Sequence, residues 1–158
     1  MHKTFVASFA GNAAYTRPLV ASNKPKTRMK YGYTIFYVAD VEKTIAFYEK
    51  AFGFNRKFIT PEGDYGELIT GETTIAFASF ELGNSNFKKG FTKIKNQEKP
   101  IGMELVFVTE EIESDFQKAI DAGAIEFEEV VQKPWGQKVG YLKDINGALI
   151  EICTPMKS

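Results

Sequence analysis

The chain has 158 residues, 44% of them hydrophobic, and its 20 basic and 20 acidic side chains cancel. This length and composition predict one compact domain whose core needs no disulfide. The balanced charge excludes a strong field toward nucleic acid or an anionic membrane, and no apolar run approaches the roughly 20 residues that span a bilayer. We therefore expect neither nucleic-acid nor membrane partners. The lone cysteine, Cys153, excludes an intrachain disulfide and predicts a cytoplasmic protein.

The first 28 residues differ from the rest in being basic and free of acidic residues. A secretory signal is not expected, because polar residues interrupt the apolar stretch from Phe5 to Ala14. We predict that residues 1–28 are a flexible or vector-derived N-terminal extension, with a transit-like segment as the alternative. The single domain is then expected to span residues 29–158, beginning at Met29.

From Tyr31 the segments follow the order strand, helix, strand, strand, strand. The run Y-G-Y-T-I-F-Y-V at 31–38 is rich in strand-forming residues. A helix follows, capped by Asp40 and ended by Gly53, with apolar residues at helical spacing: Val41, Ile45, Tyr48 and Phe52. Three strands are predicted next, at 56–60, 65–70 and 73–80, with turn sequences between them. These residues form module one, at about 31–82.

The same order recurs after a lysine-rich linker at 83–100. Module two, at about 101–155, opens with a strand at 102–108 and continues with a helix that ends at Gly123. Strands are predicted at 125–131, 138–143 and 148–153. Because each half of such a repeat exposes a sheet face that the other helps to cover, the predicted fold class is α+β. Two tandem βαβββ modules should form an open, curved mixed sheet with helices outside and a concave face inside.

Two segments carry a resemblance to a known family. The segment V-A-D-V-E-K-T-I-A-F-Y-E-K-A-F-G-F at 38–54 resembles the first-helix motif of the glyoxalase/bleomycin-resistance/extradiol-dioxygenase group, the vicinal oxygen chelate superfamily. The segment P-W-G-Q-K-V-G-Y-L-K-D-I-N-G-A-L-I-E at 134–151 resembles its closing motif. The match covers about residues 31–155. It implies the fold predicted above and a homodimer, while the superfamily itself includes lyases, dioxygenases, thiol transferases and antibiotic-binding proteins.

The resemblance also implies where a divalent metal would be bound. Metal-dependent members commonly use a His on the first strand and a Glu on the last strand of each module. Mapped onto this sequence, these positions are Tyr33, Met103, Ala76 and Glu151. Ala has no donor atom and a thioether suits copper(I) rather than hard ions, while the chain's only histidine is His2. We therefore predict no metal and no other cofactor.

Strand alternation predicts the lining of the concave face. If Tyr33 points inward, Ile35 and Tyr37 do so too, and Leu105 joins Met103, which turns Glu104 away. A register different by one residue would instead place Glu104 beside Glu151. The expected ligand-binding residues are Tyr33, Tyr37, Ala76, Met103, Phe107, Trp135, Leu149 and Glu151, with Trp135 at the rim. A closed hydrogen-bonded pair of Tyr33 and Glu151, with no ligand, is the alternative.

Three functions remain open at this stage. The preferred one is binding of a small organic molecule without a metal, similar to the bleomycin-resistance branch. The second is a lyase, isomerase or thiol transferase in which Glu151 is the catalytic residue, a general base. The third is an interaction module whose concave face is filled by its own side chains. Outside the site, Asp144 and Asn146 are interpreted as turn formers and Cys153 as a buried apolar residue.

Overall fold

A computed structural model describes residues 28–156 of the chain. The predicted N-terminal extension, residues 1–28, therefore lies almost entirely outside the described residues. Arg28 to Lys30 are exposed and without regular secondary structure, while the residues from Tyr31 onward form one compact unit. Between residues 28 and 156, no helix combines the length and the apolar character needed to cross a membrane.

Module one forms a four-stranded sheet, which we name sheet A. Its elements are β1 (Tyr33–Val38), α1 (Val41–Phe52), β2 (Asn55–Ile59), β3 (Tyr65–Ile69), β4 (Thr74–Ser79) and α2 (Phe80–Asn86). The strand order is β1-β4-β3-β2, with β1 parallel to β4 and the remaining pairs antiparallel. Strand β1 is therefore an edge strand of sheet A.

Module two repeats this arrangement in a second sheet, sheet B. Its elements are β5 (Glu104–Val108), α3 (Ile112–Ala122), β6 (Ile125–Gln132), β7 (Lys138–Lys143) and β8 (Leu149–Cys153). The strand order is β5-β8-β7-β6, again with the first and last strands parallel. The predicted α+β class and the two tandem βαβββ modules are confirmed, as two open mixed sheets of four strands each.

The ends of the two long helices follow the sequence signals. The Asp40 carboxylate accepts a hydrogen bond from the Lys43 backbone N–H at 2.8 Å, which satisfies one free donor of the first turn of α1. Gly53 and Gly123 end α1 and α3 with φ angles of 73° and 114°, a region that glycine enters without steric cost.

Helix α2 is an element that the sequence did not predict. Its last four residues, 83–86, fall in the segment interpreted as linker, and Gly83 lowers its helix propensity. Ser79 caps the helix by accepting a hydrogen bond from the Leu82 N–H at 3.0 Å. The cap and the packing of Gly83 against Tyr37 outweigh the weak propensity of the segment.

Both sheets contribute to one core around α1 and α3. Its buried members include Phe36, Val38, Ile75 and Phe77 from sheet A, Ile150 and Ile152 from sheet B, and Val41, Ile45, Tyr48, Ile112 and Phe116 from the helices. The fully buried Tyr48 ring lies 4.9 Å from Phe77 in sheet A and 6.5 Å from Phe107 in sheet B. Since the core takes one face of each sheet, the other face is left open. The sequence predicted one curved sheet with a concave face, whereas the structure has two sheets, each with an open face.

The turn before β8 also links the two modules. Asp144 accepts backbone hydrogen bonds from Asn146 and Ala148, both at 2.8 Å, as expected of a turn-forming aspartate. Its second oxygen accepts a hydrogen bond from the Tyr48 hydroxyl at 2.9 Å, across the interface between the modules. The Asn146 side chain donates to the Thr44 hydroxyl at 3.1 Å. The closing motif therefore fixes α1 of module one against module two.

Candidate functional site on the open sheet faces

The open face of sheet A carries the residues predicted for it. In β1, Tyr33, Ile35 and Tyr37 alternate with buried core residues, as period-two alternation requires. Ala76 and Ala78 of β4 lie in register with Ile35 and Tyr37 and share their face. Neighbouring side chains bury both alanines, whereas Ile35 is 37% and Tyr33 53% exposed.

The open face of sheet B differs from the prediction by one residue along β5. Leu105 and Phe107 pack against the core, and the Phe107 ring lies 4.8 Å from the Phe52 ring. Glu104, Val106 and Val108 therefore occupy the open face. The prediction was wrong for Leu105 and Phe107 because it began the alternation at Met103, which precedes the strand.

The sheet registers correct one of the four mapped positions. Tyr33 pairs with Thr74, two residues before Ala76. Glu104 pairs with Leu149, two residues before Glu151. Since Ala76 and Glu151 are equivalent, the counterpart of Tyr33 in module two is Glu104, and not Met103. The register that placed Glu104 beside Glu151, left open by the sequence, is the one found.

Glu151 lies at the centre of a polar cluster on sheet B. Tyr141 lies directly opposite it on β7, and burial together with the interaction with Glu151 raises the pKa of Tyr141 to about 12. Burial and the charge of Glu151 raise the pKa of Glu104. Burial and the interaction with Glu151 also raise the pKa of the Cys153 thiol, which disfavours the thiolate. The phenol that pairs with Glu151 is thus Tyr141, and not Tyr33.

The donors at these positions do not fit a divalent metal site. Glu104 and Glu151 provide carboxylates on sheet B, but their counterparts on sheet A are a phenol, Tyr33, and a side chain without donor atoms, Ala76. Among residues 28–156, no group of three or more His, Cys, Asp or Glu side chains is placed to hold an ion. Two carboxylates fall short of the six or more oxygen ligands that hard cations prefer.

The linker covers one end of the open face of sheet A. Phe87 and Phe91 pack on the Tyr37 ring, with ring centroids 5.6 and 4.7 Å away. A side chain at Gly83 would lie 2.6 Å from Tyr37 and 2.7 Å from Phe91, so the contact needs glycine. Tyr37 is on the predicted face, but linker aromatics occupy the space in front of it.

Two further predicted residues lie on or beside sheet B. Trp135, in the turn between β6 and β7, is 59% exposed, and its ring N–H donates to the Gln137 side chain at 2.9 Å. Gln137 in turn approaches the Cys153 sulfur at 3.8 Å, which connects the tryptophan to the Glu151 cluster. Leu149 is half-buried on the same face as Glu151.

The open faces of the two modules do not meet within one chain. In the described part of the chain, no hydrogen bond, ion pair or ring contact joins Tyr33 or Ala76 to Glu151. A cavity of about 330 Å³ does lie between the modules, but its walls are formed by threonines of module one and by β5. Neither Tyr33 nor Glu151 lines it.

Sequence reasoning also missed a polar cluster on sheet A. Glu67 of β3 lies opposite Ala76 and is 9% exposed. It accepts hydrogen bonds from Lys57 at 2.7 Å and from the Tyr65 hydroxyl at 2.9 Å. The signal was present in the sequence, because Glu67 is a carboxylate within an apolar strand, as is Glu151.

Comparison with known proteins agrees with this architecture. The two βαβββ sheets and their open faces define the vicinal oxygen chelate class of fold. A family model for a glyoxalase-like domain matches residues 31–157, and the chain belongs to this family. No curated protein sequence matches the chain.

Solved structures of similar fold are numerous. A glyoxalase-related enzyme from Fulvimarina pelagi aligns with a TM-score of 0.68 at 17% identity, covering 80% of this chain and 88% of that one. A glyoxalase/bleomycin resistance protein/dioxygenase family enzyme from Burkholderia phytofirmans aligns with a TM-score of 0.65 at 22% identity, covering 80% and 98%. A hypothetical protein from S. aureus gives 0.68 at 19%, covering 82% and 96%. At these identities the similarity shows the fold alone.

Proposed function

We propose that this protein binds a small organic molecule with a basic group, without a metal, on the open face of sheet B. The observation that carries the proposal is the placement of two carboxylates, Glu104 and Glu151, on a face that also exposes apolar side chains. Val106 and Val108 beside them are 47% and 62% exposed. A carboxylate pair framed by aliphatic side chains suits a cation with an apolar body.

The charges of the cluster support a cationic ligand rather than an anionic one. Burial and the negative charge of Glu151 raise the pKa of Glu104, so a positive ligand group would relieve the repulsion between the two carboxylates. Tyr141 lies directly opposite Glu151 on β7. Trp135 and Met103, 59% and 49% exposed, supply aromatic and thioether surface nearby.

The proposal includes a homodimer. Each open face has half-exposed apolar side chains, and β1 and β5 are edge strands, each paired with another described strand on one side only. Such edges are commonly covered in proteins, and a second copy of the chain would cover both. We also propose that the protein is cytoplasmic, because its single cysteine, Cys153, is not in a disulfide.

Glu104 favours a second candidate function. An enzyme of lyase, isomerase or thiol-transferase type needs an acid and a base, and two adjacent carboxylates can provide them, since burial and the charge of Glu151 raise the pKa of Glu104. Glu151 would then be the base and Glu104 the acid. Carbon-13 NMR titration should show that the pKa of the Glu104 carboxyl is above its usual range. In the Glu151→Gln variant, the pKa of Glu104 should be lower than in the wild type. An unchanged Glu104 titration in the variant would contradict the coupling.

Thermal-shift measurements test the binding proposal. Cationic aromatics such as 3-phenylpropylamine should raise the unfolding midpoint, because a ligand that binds only the native state stabilises it. Glu151→Gln should reduce the affinity for this amine about tenfold, the order expected for a charge-assisted hydrogen bond. Glu113→Gln, at an exposed glutamate paired with Lys138, is the matched control. Equal affinity in both variants would remove Glu151 from the site.

A further inference from the structure

The open face of sheet A has a second, chemically different cluster. Strand β2 pairs with β3 with a register shift between Arg56 and Phe58, which leaves Lys57 as the additional residue of a β-bulge. Arg56 points to the helix side, where it pairs with Glu49 at 3.1 Å. Lys57 instead reaches Glu67 on the open face. Bulges redirect side chains in this way next to functional sites.

Glu67 is the buried base of this cluster. Its side chain is 11% exposed, and both oxygens are engaged, one by Lys57 and the other by the Tyr65 hydroxyl. The hydrogen bond from Lys57 lowers the pKa of Glu67, although burial acts against it, so the carboxylate is ionised at neutral pH. Each Glu67 oxygen therefore already accepts a hydrogen bond, and Glu67 positions Lys57 and Tyr65.

The groups that remain available to a ligand belong to Lys57 and the tyrosines. The Lys57 side chain is 52% exposed and uses one of its three N–H donors on Glu67. Because Tyr65 donates its proton to Glu67, the lone pairs of its hydroxyl oxygen can still accept a hydrogen bond. The exposed end of the Lys57–Glu67 pair is thus the positive one. Glu67 is also the single acidic residue in the described strands β1 to β4.

Apolar side chains share the open face with the ammonium group. The Lys57 ammonium lies 6.0 Å from the centre of the Phe58 ring, and on the same face Tyr33 and Ile69 are each 53% exposed and Ile35 is 37% exposed. A fixed ammonium next to an aromatic ring and aliphatic side chains matches an organic acid with an apolar body. Since Glu67 holds Lys57 in place, less side-chain freedom is lost when the ligand binds.

We propose that Lys57, held by Glu67, is a binding site for the carboxylate of a small aromatic or aliphatic acid on the open face of sheet A. Lys57 contacts the ligand, and Glu67 is a positioning residue. The site differs in charge from the Glu104–Glu151 surface of sheet B and does not depend on the function proposed there.

The test uses 3-phenylpropionate as the probe and the full-length protein. In a ¹H–¹⁵N NMR titration, the probe should shift the amides of Tyr33, Ile35 and Ile69. The neutral 3-phenylpropanol and the cationic 3-phenylpropylamine should each bind this face about tenfold more weakly, since neither offers an anionic acceptor. Equal binding of the alcohol, or absent shifts with the acid, would overturn the proposal.

Matched variants separate the roles of the residues. Lys57→Met keeps the aliphatic stem and should weaken 3-phenylpropionate binding about tenfold. Lys138→Met is the control, because Lys138 also pairs with a glutamate, Glu113, away from this face. In Glu67→Gln, acid binding should weaken and the pKa of Tyr65, raised by burial and by Glu67, should fall. If Lys57→Met binds the acid as well as Lys138→Met does, the site is refuted, whatever the outcome for Glu151→Gln.

Discussion

Replacing Tyr48 by Phe should weaken the connection between the two modules. The ring is fully buried and would stay in place, so the change removes one hydroxyl and creates almost no cavity. One Asp144 oxygen would keep its two backbone donors, and the other would lose the Tyr48 donor at 2.9 Å. A hydrogen bond to a charged group contributes about 1.5–3 kcal/mol, so we expect a loss of about that size at neutral pH.

The size of this loss should depend on pH. Burial raises the pKa of Asp144, so the stability linked to its protonated form is present at low pH and is lost as the pH rises through the folded-state pKa. The Tyr48 bond lowers that pKa, so removing the bond raises it further. The difference between wild type and Tyr48→Phe should therefore grow from acid toward neutral pH. A bond to the neutral carboxyl contributes about 0.5–1.5 kcal/mol.

Urea unfolding at pH 4 and pH 7 measures both effects. With a slope of about 2 kcal/mol per molar, a loss of about 2 kcal/mol moves the midpoint by about 1 M. Tyr37→Phe is the control, because its hydroxyl has no hydrogen-bond partner among the described residues. A loss at pH 7 no larger than that of Tyr37→Phe, or one that does not diminish at pH 4, would refute the reasoning.

Two further pairs of substitutions test the contact between the linker and Gly147 and the orientation of the side chains along β5. Gly147→Ala places a methyl group 2.4 Å from the Lys95 carbonyl carbon at a φ of 93°, so it should cost about 1–3 kcal/mol more than Gly136→Ala. At Gly136, φ is 101° and nothing lies within 4 Å, so equal losses in urea unfolding would show that the linker contact is absent. Phe107→Ala should cost about 2–4 kcal/mol because its ring packs on the core, whereas Val106→Ala should cost less than about 1 kcal/mol. The reverse order would mean that the β5 register is wrong.

Much of the fold was predictable because its signals are local. Asp40, Gly53 and Gly123 mark helix ends through backbone chemistry that does not depend on the rest of the protein. The repeated order of segments then predicted two equivalent modules. Helix α2 was missed because its stability comes from the Ser79 cap and from packing on Tyr37, neither of which is visible as propensity.

The candidate site was harder to predict because it depends on register. Starting the β5 alternation one residue early exchanged the faces of Phe107 and Glu104, since side chains alternate with a period of two. The pairing of Glu151 with Tyr141 rather than Tyr33 follows from the register between the neighbouring strands β7 and β8, which the sequence pattern alone does not fix. The bulge that directs Lys57 to Glu67 likewise appears only in the pairing of β2 with β3.

The most direct test of the proposed function is the affinity for 3-phenylpropylamine, measured by calorimetry on protein treated with EDTA. The account predicts binding that is unchanged by EDTA, about tenfold weaker in Glu151→Gln, and accompanied by no stoichiometric divalent ion in elemental analysis. Binding that disappears with EDTA and returns when a divalent ion is added would contradict it.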